Sequence, residues 1–457
     1  MANDPFTQAF IRKYASRTVA RDQIPMETYQ AHKVSQGLRD EEGNGLVVGL
    51  TNISRADGFE IVDGKRVPCE GKLWYRGIDI NDIISGFTQC RFGYESAAFL
   101  LLFGDLPTQD ELNDFRDVLD SQHALPPHFV RDIIMHSPSN DLMRMLTRCV
   151  LSLGAYDDNS EDTSPEYVLA QSIKLIAQFP QLVMYTYQAY NHYIKGNSLY
   201  LHRPHANMST SEILLSLLRP DRKYTDLEAW VLEVELILHM EHGGGNNSTF
   251  VDRVVSSTGT DTYSTMAAAI GSLKGPKHGG QILLVPEMME DLMENIAGPG
   301  DMAGIKRYLS ALLDHKAFDK SGKIYGIGNP VYSISDPRAE ILRKYGEKLA
   351  KAKKQSDVFD LYAAVTELAP KMINERGLYH KPVCANIDFF SGFVYRMLDI
   401  PPELYTPMIT VGRIVGWSAH RIEEIINGKV IMRPAYESLI PERRPFVPIE
   451  DRKEGGK

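Results

Sequence analysis

The sequence predicts a mainly α-helical fold with a small β element near the N-terminus. Apolar residues recur at helical spacing over most of the 457 residues. Strand-like runs are confined to 46–53, 59–62 and 72–75, and turn residues such as Asp63-Gly64 separate them. The length and the hydrophobic content of 43% allow a large core and two domains.

The first helix that bears on function begins at a capping box and ends near two histidines. Thr225-Asp226-Leu227-Glu228 is the capping box, and the apolar pattern that follows it leads to His239 and His242. A metal site would need a third ligand and HExxH is absent, so we predict no metal. Gly243-Gly244-Gly245 is similar to the oxyanion loop of esterases, but the chain contains no GxSxG nucleophile elbow. A core histidine beside a glycine turn is the default interpretation.

An imidazole and a carboxylate stand in two later segments. A helix that starts after Asp261 and ends at Gly275-Pro276 delivers His278 to a glycine-rich turn, where the backbone can approach a ligand closely. Asp388 is flanked by apolar residues, so it is expected to be partly desolvated and a stronger base. The pair indicates acid/base chemistry, although each residue taken singly is more often structural.

A third helix spans about 407–426, with Thr406 as its N-cap and Asn427-Gly428 as its stop. Arg413 lies in the middle of its apolar pattern, where a charge is costly unless it is paired. The partner is either a protein carboxylate or an anionic substrate, and the sequence favours neither.

Two short motifs carry a weak functional signal on their own. Gly326-Ile327-Gly328 lacks the third glycine of a dinucleotide fingerprint and does not follow an evident strand. Asp336-Pro337-Arg338 fits a turn with a surface arginine. Neither motif alone predicts a ligand.

Charge and composition exclude several classes of partner. The formal net charge of −9 argues against nucleic acid or an anionic membrane surface, because phosphate binding requires a net basic face. The basic run from Arg343 to Lys354 is interpreted as a solvated helix face, with contact to an anionic ligand as the alternative. The four cysteines form no CxxC pair, which indicates a reducing compartment. With no apolar run of about 18 residues, we predict no membrane span and a cytoplasmic protein.

Taken together, the motifs resemble the citrate synthase family. The resemblance begins with LVVGLTNIS, GKLWYRGIDI and AFLLLFGDLP, at 46–54, 71–80 and 98–107. It continues in family order through 238–250, 274–280, 326–338, 386–392, 412–420 and Arg433-Pro434. It therefore covers roughly residues 46–434 of the chain.

The resemblance implies a citrate-synthase-like fold of two domains. A large helical domain is expected over 1–285 and 396–457, with the β element near 46–75. A small helical lid domain, 286–395, is expected to close over it and exclude water from the reaction. Composition alone offers only the glycine-rich span 298–304 as a boundary.

The resemblance also assigns the acid/base residues. Enzymes of this family join acetyl-CoA to oxaloacetate and hold no permanently bound cofactor. The methyl group of a thioester is a weak carbon acid, so a positioned base and an enolate-stabilising donor are required. By resemblance, Asp388 is that base and His278 hydrogen-bonds the thioester oxygen.

Four further residues match substrate-binding positions of the family. His242 matches a histidine that binds oxaloacetate. Arg338, Arg413 and Arg433 match arginines that bind its carboxylates, for which planar guanidinium groups are suited. The last usually reaches across from the partner subunit, so a homodimer is implied. The backbone of Gly326, Ile327 and Gly328 matches the loop that meets the adenine of CoA.

Asn329 is the main departure from the family pattern. The family usually has a histidine there, which polarises the oxaloacetate carbonyl. An asparagine donates only a neutral hydrogen bond, which is weaker. The sequence therefore allows a slowed synthase, a site in which another group substitutes, or a variant that traps a complex. Glu241, where aspartate is common, and an extra glycine at 243–245 are smaller departures.

Three functions follow from these observations. The leading prediction is a citrate synthase, and the same-class alternative is a 2-methylcitrate synthase that uses propionyl-CoA. One methylene contributes only about 1 to 3 kcal/mol to discrimination, so the sequence does not separate these two. A catalytically impaired paralogue that binds CoA or a dicarboxylate is the third, favoured by Asn329.

Overall fold

Helices make up most of the chain, and a three-stranded sheet lies near its N-terminus. The structure, a computed structural model, describes residues 5–34, 36–39, 45–87, 91–379, 381–440 and 445–452. The strands are β1 Ser54–Val62, β2 Lys65–Tyr75 and β3 Ile78–Asp79. The helices are α1 Pro5–Asp22, α2 Met26–Ala31, α3 Ile80–Gly86, α4 Gly93–Phe103, α5 Gln109–Gln122, α6 Leu142–Gly154, α7 Pro165–Tyr193, α8 Thr210–Leu218, α9 Asp226–Met240, α10 Asn247–Ser256, α11 Thr262–Leu273, α12 Leu284–Glu294, α13 Met302–Leu313, α14 Pro337–Ala352, α15 Ser356–Glu375, α16 Ile387–Met397 and α17 Tyr405–Asn427. The predicted mainly α fold is confirmed.

The sheet is antiparallel, in the order β1-β2-β3. Asp63-Gly64 forms the turn between β1 and β2, and both residues have positive φ, as two-residue hairpin turns require. The predicted strand at 46–53 is wrong. This segment has no regular secondary structure, is largely exposed and joins no ladder of the described residues. Apolar residues alone do not make a strand without a paired neighbour.

The core is built around α17, which is buried along almost its whole length. It packs against α4, α7, α9 and α10, and its apolar residues surround the helix instead of forming one stripe, the pattern of a central helix. The predicted N-cap Thr406 is wrong. A short 3-10 helix at 402–404 continues directly into α17, so Thr406 lies inside the helix and donates to the Gly279 carbonyl.

The helices that precede His242 and His278 begin where the sequence predicts. The capping box at Thr225 is present at the start of α9, and the Asp261 side chain accepts from Ser264 N–H at the start of α11. Further along, α14 packs against α15, α16 and α9, and the irregular segment 314–336 leads into it. The domain boundaries at 285 and 395 stay a prediction.

Two sequence expectations concern surfaces. The basic run on and after α14 is partly ion-paired: Lys351 contacts Glu347, and Lys353 contacts Glu228 and Asp399. Among the described helices, none is both long and apolar enough to cross a membrane.

Candidate functional site

The chain leaves α9 at a buried carboxylate. Glu241 follows the last helical residue, and its Oε1 accepts from Ser54 Oγ at 2.8 Å and lies 3.0 Å from His420 Nε2. Burial raises the pKa of Glu241, but its interactions with His420 and Arg413 outweigh this and hold the pKa at about 2. Glu241 is therefore an anion that fixes the turn in front of His242.

His242 is a neutral imidazole beside two guanidinium groups. Burial lowers its pKa well below the usual range, and the charges of Arg338 and Arg413 lower it further. Its ring contacts that of Tyr332 with centroids 5.4 Å apart. Its Nε2 atom is buried and has no hydrogen-bond partner among the described residues. A buried nitrogen of this kind is expected to find its partner in a ligand.

His278 lies on the turn between α11 and a short 3-10 helix at 279–283. Gly279 is required there, because a Cβ would lie 2.8 Å from the Leu273 carbonyl oxygen. The Ser248 hydroxyl lies 3.3 Å from His278 Nε2 and 3.0 Å from Asn246 Oδ1. If Ser248 donates its one proton to Asn246, Nε2 of His278 is the donor to Ser248. If Ser248 donates to His278, Nε2 is the acceptor. Burial, then the charge of Arg413, lowers the pKa of His278 to about 4.

The low pKa of His278 predicts an acid-labile contribution to stability. The unfolded chain takes up a proton on this residue near pH 6.5, whereas the folded chain does so only near pH 4. The free energy of unfolding therefore falls as the pH drops between these values. We expect the fall in Tm between about pH 7.5 and about pH 5 to be smaller in His278→Gln than in the parent. An equal fall in both proteins would contradict a neutral, partly buried His278.

Asp388 stands in the first turn of α16. Asn386 caps this helix by accepting from the Asp388 N–H at 3.0 Å. Burial raises the pKa of Asp388, while the charges of His239 and Arg338 oppose the shift. A carboxylate with a raised pKa is a stronger base, as proton abstraction from carbon requires. The sequence prediction of a partly desolvated carboxylate agrees with this environment.

The glycine motif at 326–328 is pinned to the segment that leads to Asp388. Gly328 N–H donates to the Cys384 carbonyl at 2.8 Å, and Asn386 N–H donates to the Gly326 carbonyl at 2.8 Å. Gly326 has a φ of 78°, and a Cβ there would lie 2.7 Å from the Phe389 ring. The motif therefore positions the helix of the predicted base. Its contact with adenine stays a prediction.

Asn329 uses most of its side chain to hold a turn. Its Oδ1 accepts from the N–H groups of Val331 at 2.8 Å and Tyr332 at 3.2 Å, and its Nδ2 donates to Asp336 at 3.2 Å. These bonds form an Asx turn, in which a side-chain oxygen replaces a backbone acceptor. One amide hydrogen stays outside these contacts, so Asn329 retains a single neutral donor.

Two buried arginines have different partners. Arg338 donates to Asp336 through Nε at 3.0 Å and Nη2 at 2.8 Å. Burial lowers the pKa of Arg338, but Asp336 raises it by more. Arg413 donates through Nε to the His239 carbonyl at 2.8 Å, and its Nη1 is buried with no partner in the described part of the chain. Burial lowers the pKa of Arg413, so the site holds a cation that an anionic ligand would stabilise.

The residues predicted as a site from the sequence are brought together with one exception. Arg413 acts electrostatically on His242, His278 and Asp388, and Arg338 acts on His242 and Asp388. Arg433 instead lies on an exposed segment after α17 and takes part in none of these interactions. Its role across a dimer stays a prediction.

Sequence reasoning missed His420 and Tyr332. His420 Nδ1 accepts from Arg253 Nε at 3.0 Å, while its Nε2 faces Glu241, so it links the turn before His242 to a buried ion-pair network. His420 follows Arg413 by two helical turns, so both residues lie on one face of α17. This helical spacing could have indicated that His420 lies near the site. Tyr332 gives no comparable signal, because its contacts arise only through the fold.

His239, in the last turn of α9, and His242, which follows the helix, do not form part of a recognisable metal centre. Within the described ranges, no group of three or more His, Cys, Asp or Glu side chains is arranged to hold a metal ion. His239 Nε2 lies 3.1 Å from Ser391 Oγ and 3.0 Å from Glu235 Oε1. This histidine therefore contacts α16 one turn after Asp388.

Comparison with known proteins gives consistent matches along the chain. The family whose profile matches residues 42–435 is described as citrate synthase, C-terminal domain. A citrate synthase of Deinococcus radiodurans is 32% identical over 84% of this chain and 94% of its own. A 2-methylcitrate synthase of Shewanella oneidensis is 30% identical over 83% of this chain and 92% of its own.

A solved structure has the same fold. It is a citrate synthase of Thermoplasma acidophilum in a ternary complex with carboxymethyl coenzyme A and oxaloacetate. The TM-score is 0.75 at 25% identity, with 92% of this chain and 99% of that chain covered. The predicted citrate-synthase-like architecture is confirmed.

Proposed function

The chain belongs to the citrate synthase family, and we propose that it condenses acetyl-CoA with oxaloacetate to give citrate and CoA. One observation carries the proposal. Asp388 is a carboxylate with a raised pKa and His278 is a neutral histidine, and both interact with Arg413, whose Nη1 has no hydrogen-bond partner among the described residues. This combination suits proton abstraction beside a bound anion.

In the first step Asp388 removes a proton from the methyl group of acetyl-CoA. Its raised pKa reduces the difference in acidity that opposes the transfer. His278 hydrogen-bonds the thioester oxygen, on which negative charge develops. Because His278 is neutral at pH 7, it stabilises an enol or enolate by hydrogen bonding and not by full charge.

In the second step the enolate carbon attacks the carbonyl carbon of oxaloacetate, so that a carbon–carbon bond forms as the carbonyl π bond opens. The resulting alkoxide takes up one proton to become the hydroxyl group of citryl-CoA, which balances the proton that Asp388 removed. Arg413 Nη1 and Arg338 bind the carboxylates, and His242 contributes its unpartnered Nε2. Asn329 contributes at most one neutral hydrogen bond toward the carbonyl. Water then cleaves the thioester of citryl-CoA, which releases CoA thiol and the third carboxylate of citrate.

A second candidate function is favoured because relatives named citrate synthase and relatives named 2-methylcitrate synthase both match this chain. The Shewanella oneidensis relative is a 2-methylcitrate synthase, at 30% identity, close to the 32% of the Deinococcus radiodurans citrate synthase. The corresponding reaction here would use propionyl-CoA, whose extra methylene must fit beside Asp388. A catalytically impaired binding protein is the third candidate, favoured by Asn329 and disfavoured by the retained Asp388 and His278.

Thiol release separates these functions. We expect rapid release of CoA thiol from acetyl-CoA only when oxaloacetate is present, with slower release from propionyl-CoA. The opposite order would identify a 2-methylcitrate synthase. Release that does not depend on oxaloacetate would contradict condensation, and no release with either thioester would favour the binding protein.

We also propose a cytoplasmic homodimer in which Arg433 completes the site of the partner subunit. The exposure of Arg433 within one chain supports this assignment. Mixing inactive Arg433→Ala with inactive Asp388→Asn chains, under conditions of subunit exchange, should restore part of the activity, because one site of each heterodimer is then intact. Continued inactivity after demonstrated exchange would contradict donation across the dimer.

A further inference from the structure

The β1–β2 hairpin contacts the segment 329–338 through backbone at two glycines. This segment, here called the substrate loop, consists of the loop 329–336 and the first two residues of α14. A Cβ on Gly58 would lie 2.2 Å from the Val331 carbonyl oxygen, and a Cβ on Gly71 would lie 2.2 Å from the Ser335 carbonyl oxygen. Side chains are not tolerated at such distances, so both contacts require glycine. The hairpin backbone therefore lies directly against the substrate loop.

The two glycines lie where the hairpin ladder is irregular. Pairing is continuous over 54–57 and again over 59–62, with a register shift between Asp57 and Phe59. Bulges bend a strand and redirect its backbone groups. At this bulge Gly71 N–H donates to Ser335 Oγ at 3.1 Å, outside the sheet. The irregularity thus supplies a hydrogen bond to the substrate loop.

A third contact reaches the beginning of the substrate loop through Lys381. Its Nζ atom donates to the carbonyl oxygens of Asn329 at 3.2 Å and Pro330 at 3.0 Å. The same ammonium group lies 5.5 Å from the centroid of the Phe59 ring, on β1 of the hairpin. The hairpin therefore contacts both halves of the substrate loop.

The substrate loop transmits these contacts to the binding side chains. A Cβ on Gly71 would also lie 2.7 Å from Cδ1 of Tyr332, and the Tyr332 ring contacts the ring of His242. The guanidinium of Arg338 lies 5.8 Å from the centroid of the Tyr332 ring. Tyr332 is fully buried, so a shift of its ring displaces its neighbours instead of moving into solvent.

We propose that the β1–β2 hairpin is a positioning element for oxaloacetate, acting through Gly58, Gly71 and the substrate loop on His242 and Arg338. The inference rests on the proposed function. Asp388 and His278 lie on α16 and on the turn after α11, outside the substrate loop. Disturbing the hairpin contact should therefore weaken oxaloacetate binding more than it slows proton abstraction.

The test adds one methyl group at the contact. Gly71→Ala should raise both the Kd and the KM for oxaloacetate about 10-fold, because overpacking displaces the Ser335 carbonyl and Tyr332. The kcat at saturating oxaloacetate should stay within about 3-fold of the parent. Gly49→Ala is the matched control, since a Cβ there meets nothing within 4 Å, and it should leave all three constants unchanged.

A milder variant keeps the test valid if Gly71→Ala fails to fold. Ser335→Ala removes the hydrogen bond from Gly71 N–H without adding atoms, and it should raise the Kd for oxaloacetate by about 3-fold. Unchanged Kd in Ser335→Ala together with unchanged Kd in a folded Gly71→Ala would overturn the inference, even if Tm falls. A parent protein that binds no oxaloacetate would instead overturn the proposed function, and the inference with it.

Discussion

Asp388→Asn should lose at least about 10²-fold of the condensation rate, the lower range for a positioned acid/base group. The amide keeps the shape of the carboxylate but cannot accept a proton from the thioester methyl group. Oxaloacetate binding should change little, because His242, Arg338 and Arg413 are untouched. The measurement is kcat with acetyl-CoA, together with the Kd of oxaloacetate by calorimetry.

A matched substitution outside the site controls for the Asp388 result. Asp399→Asn makes the same chemical change at an exposed residue whose carboxylate contacts Lys353, and it should leave kcat unchanged. Near-normal turnover in Asp388→Asn would eliminate this residue as the base. Equal losses in both variants would mean that the change acts through stability and not through chemistry.

Asn329→His should raise the condensation rate by about 10²-fold, because removing one oxyanion donor typically lowers a reaction rate by about 10² to 10³. Lys381 holds the substrate loop, and Gly328 N–H holds the residue before it, independently of the Asn329 side chain. A histidine there would keep an acceptor nitrogen for the turn and add an imidazole donor. Oxaloacetate affinity should change less, because the donor acts chiefly as charge develops.

The Asn329 prediction is checked by single-turnover kinetics at saturating oxaloacetate. Asn329→Gln keeps an amide at this position without adding an imidazole, so it should not accelerate the reaction. A histidine variant no faster than the parent would show that another group already polarises the carbonyl. His242 would then be the first candidate, since its Nε2 has no partner within the described structure.

Local signals in the sequence predicted the helices that lead to His242 and His278. Capping residues at Thr225 and Asp261 mark real helix starts, because a cap satisfies backbone donors that have no other partner. The failures have local causes as well. The run 46–53 has the residue types of a strand but no paired neighbour, and the start of α17 is displaced by the short helix before it.

The side-chain pairings of the site were beyond sequence reasoning. Taken alone, Asp336-Pro337-Arg338 fits a turn with a surface arginine. In the structure Asp336 and Arg338 form a buried bidentate ion pair, because the fold covers the turn. The engagement of Asn329 in an Asx turn likewise depends on the path of the backbone after it. The candidate site residues were predicted from the resemblance to a family, and the structure shows which of their buried nitrogens have no hydrogen-bond partner among the described residues.

The central claim is the formation of a carbon–carbon bond between the acetyl methyl group and oxaloacetate. Incubating the protein with oxaloacetate and acetyl-CoA labelled with ¹³C at the methyl carbon, followed by ¹³C spectroscopy, tests it most directly. The account predicts that the label appears in a methylene group of citrate as CoA thiol is released. Label that stays in acetyl-CoA, or that appears as the methyl group of free acetate, would contradict it.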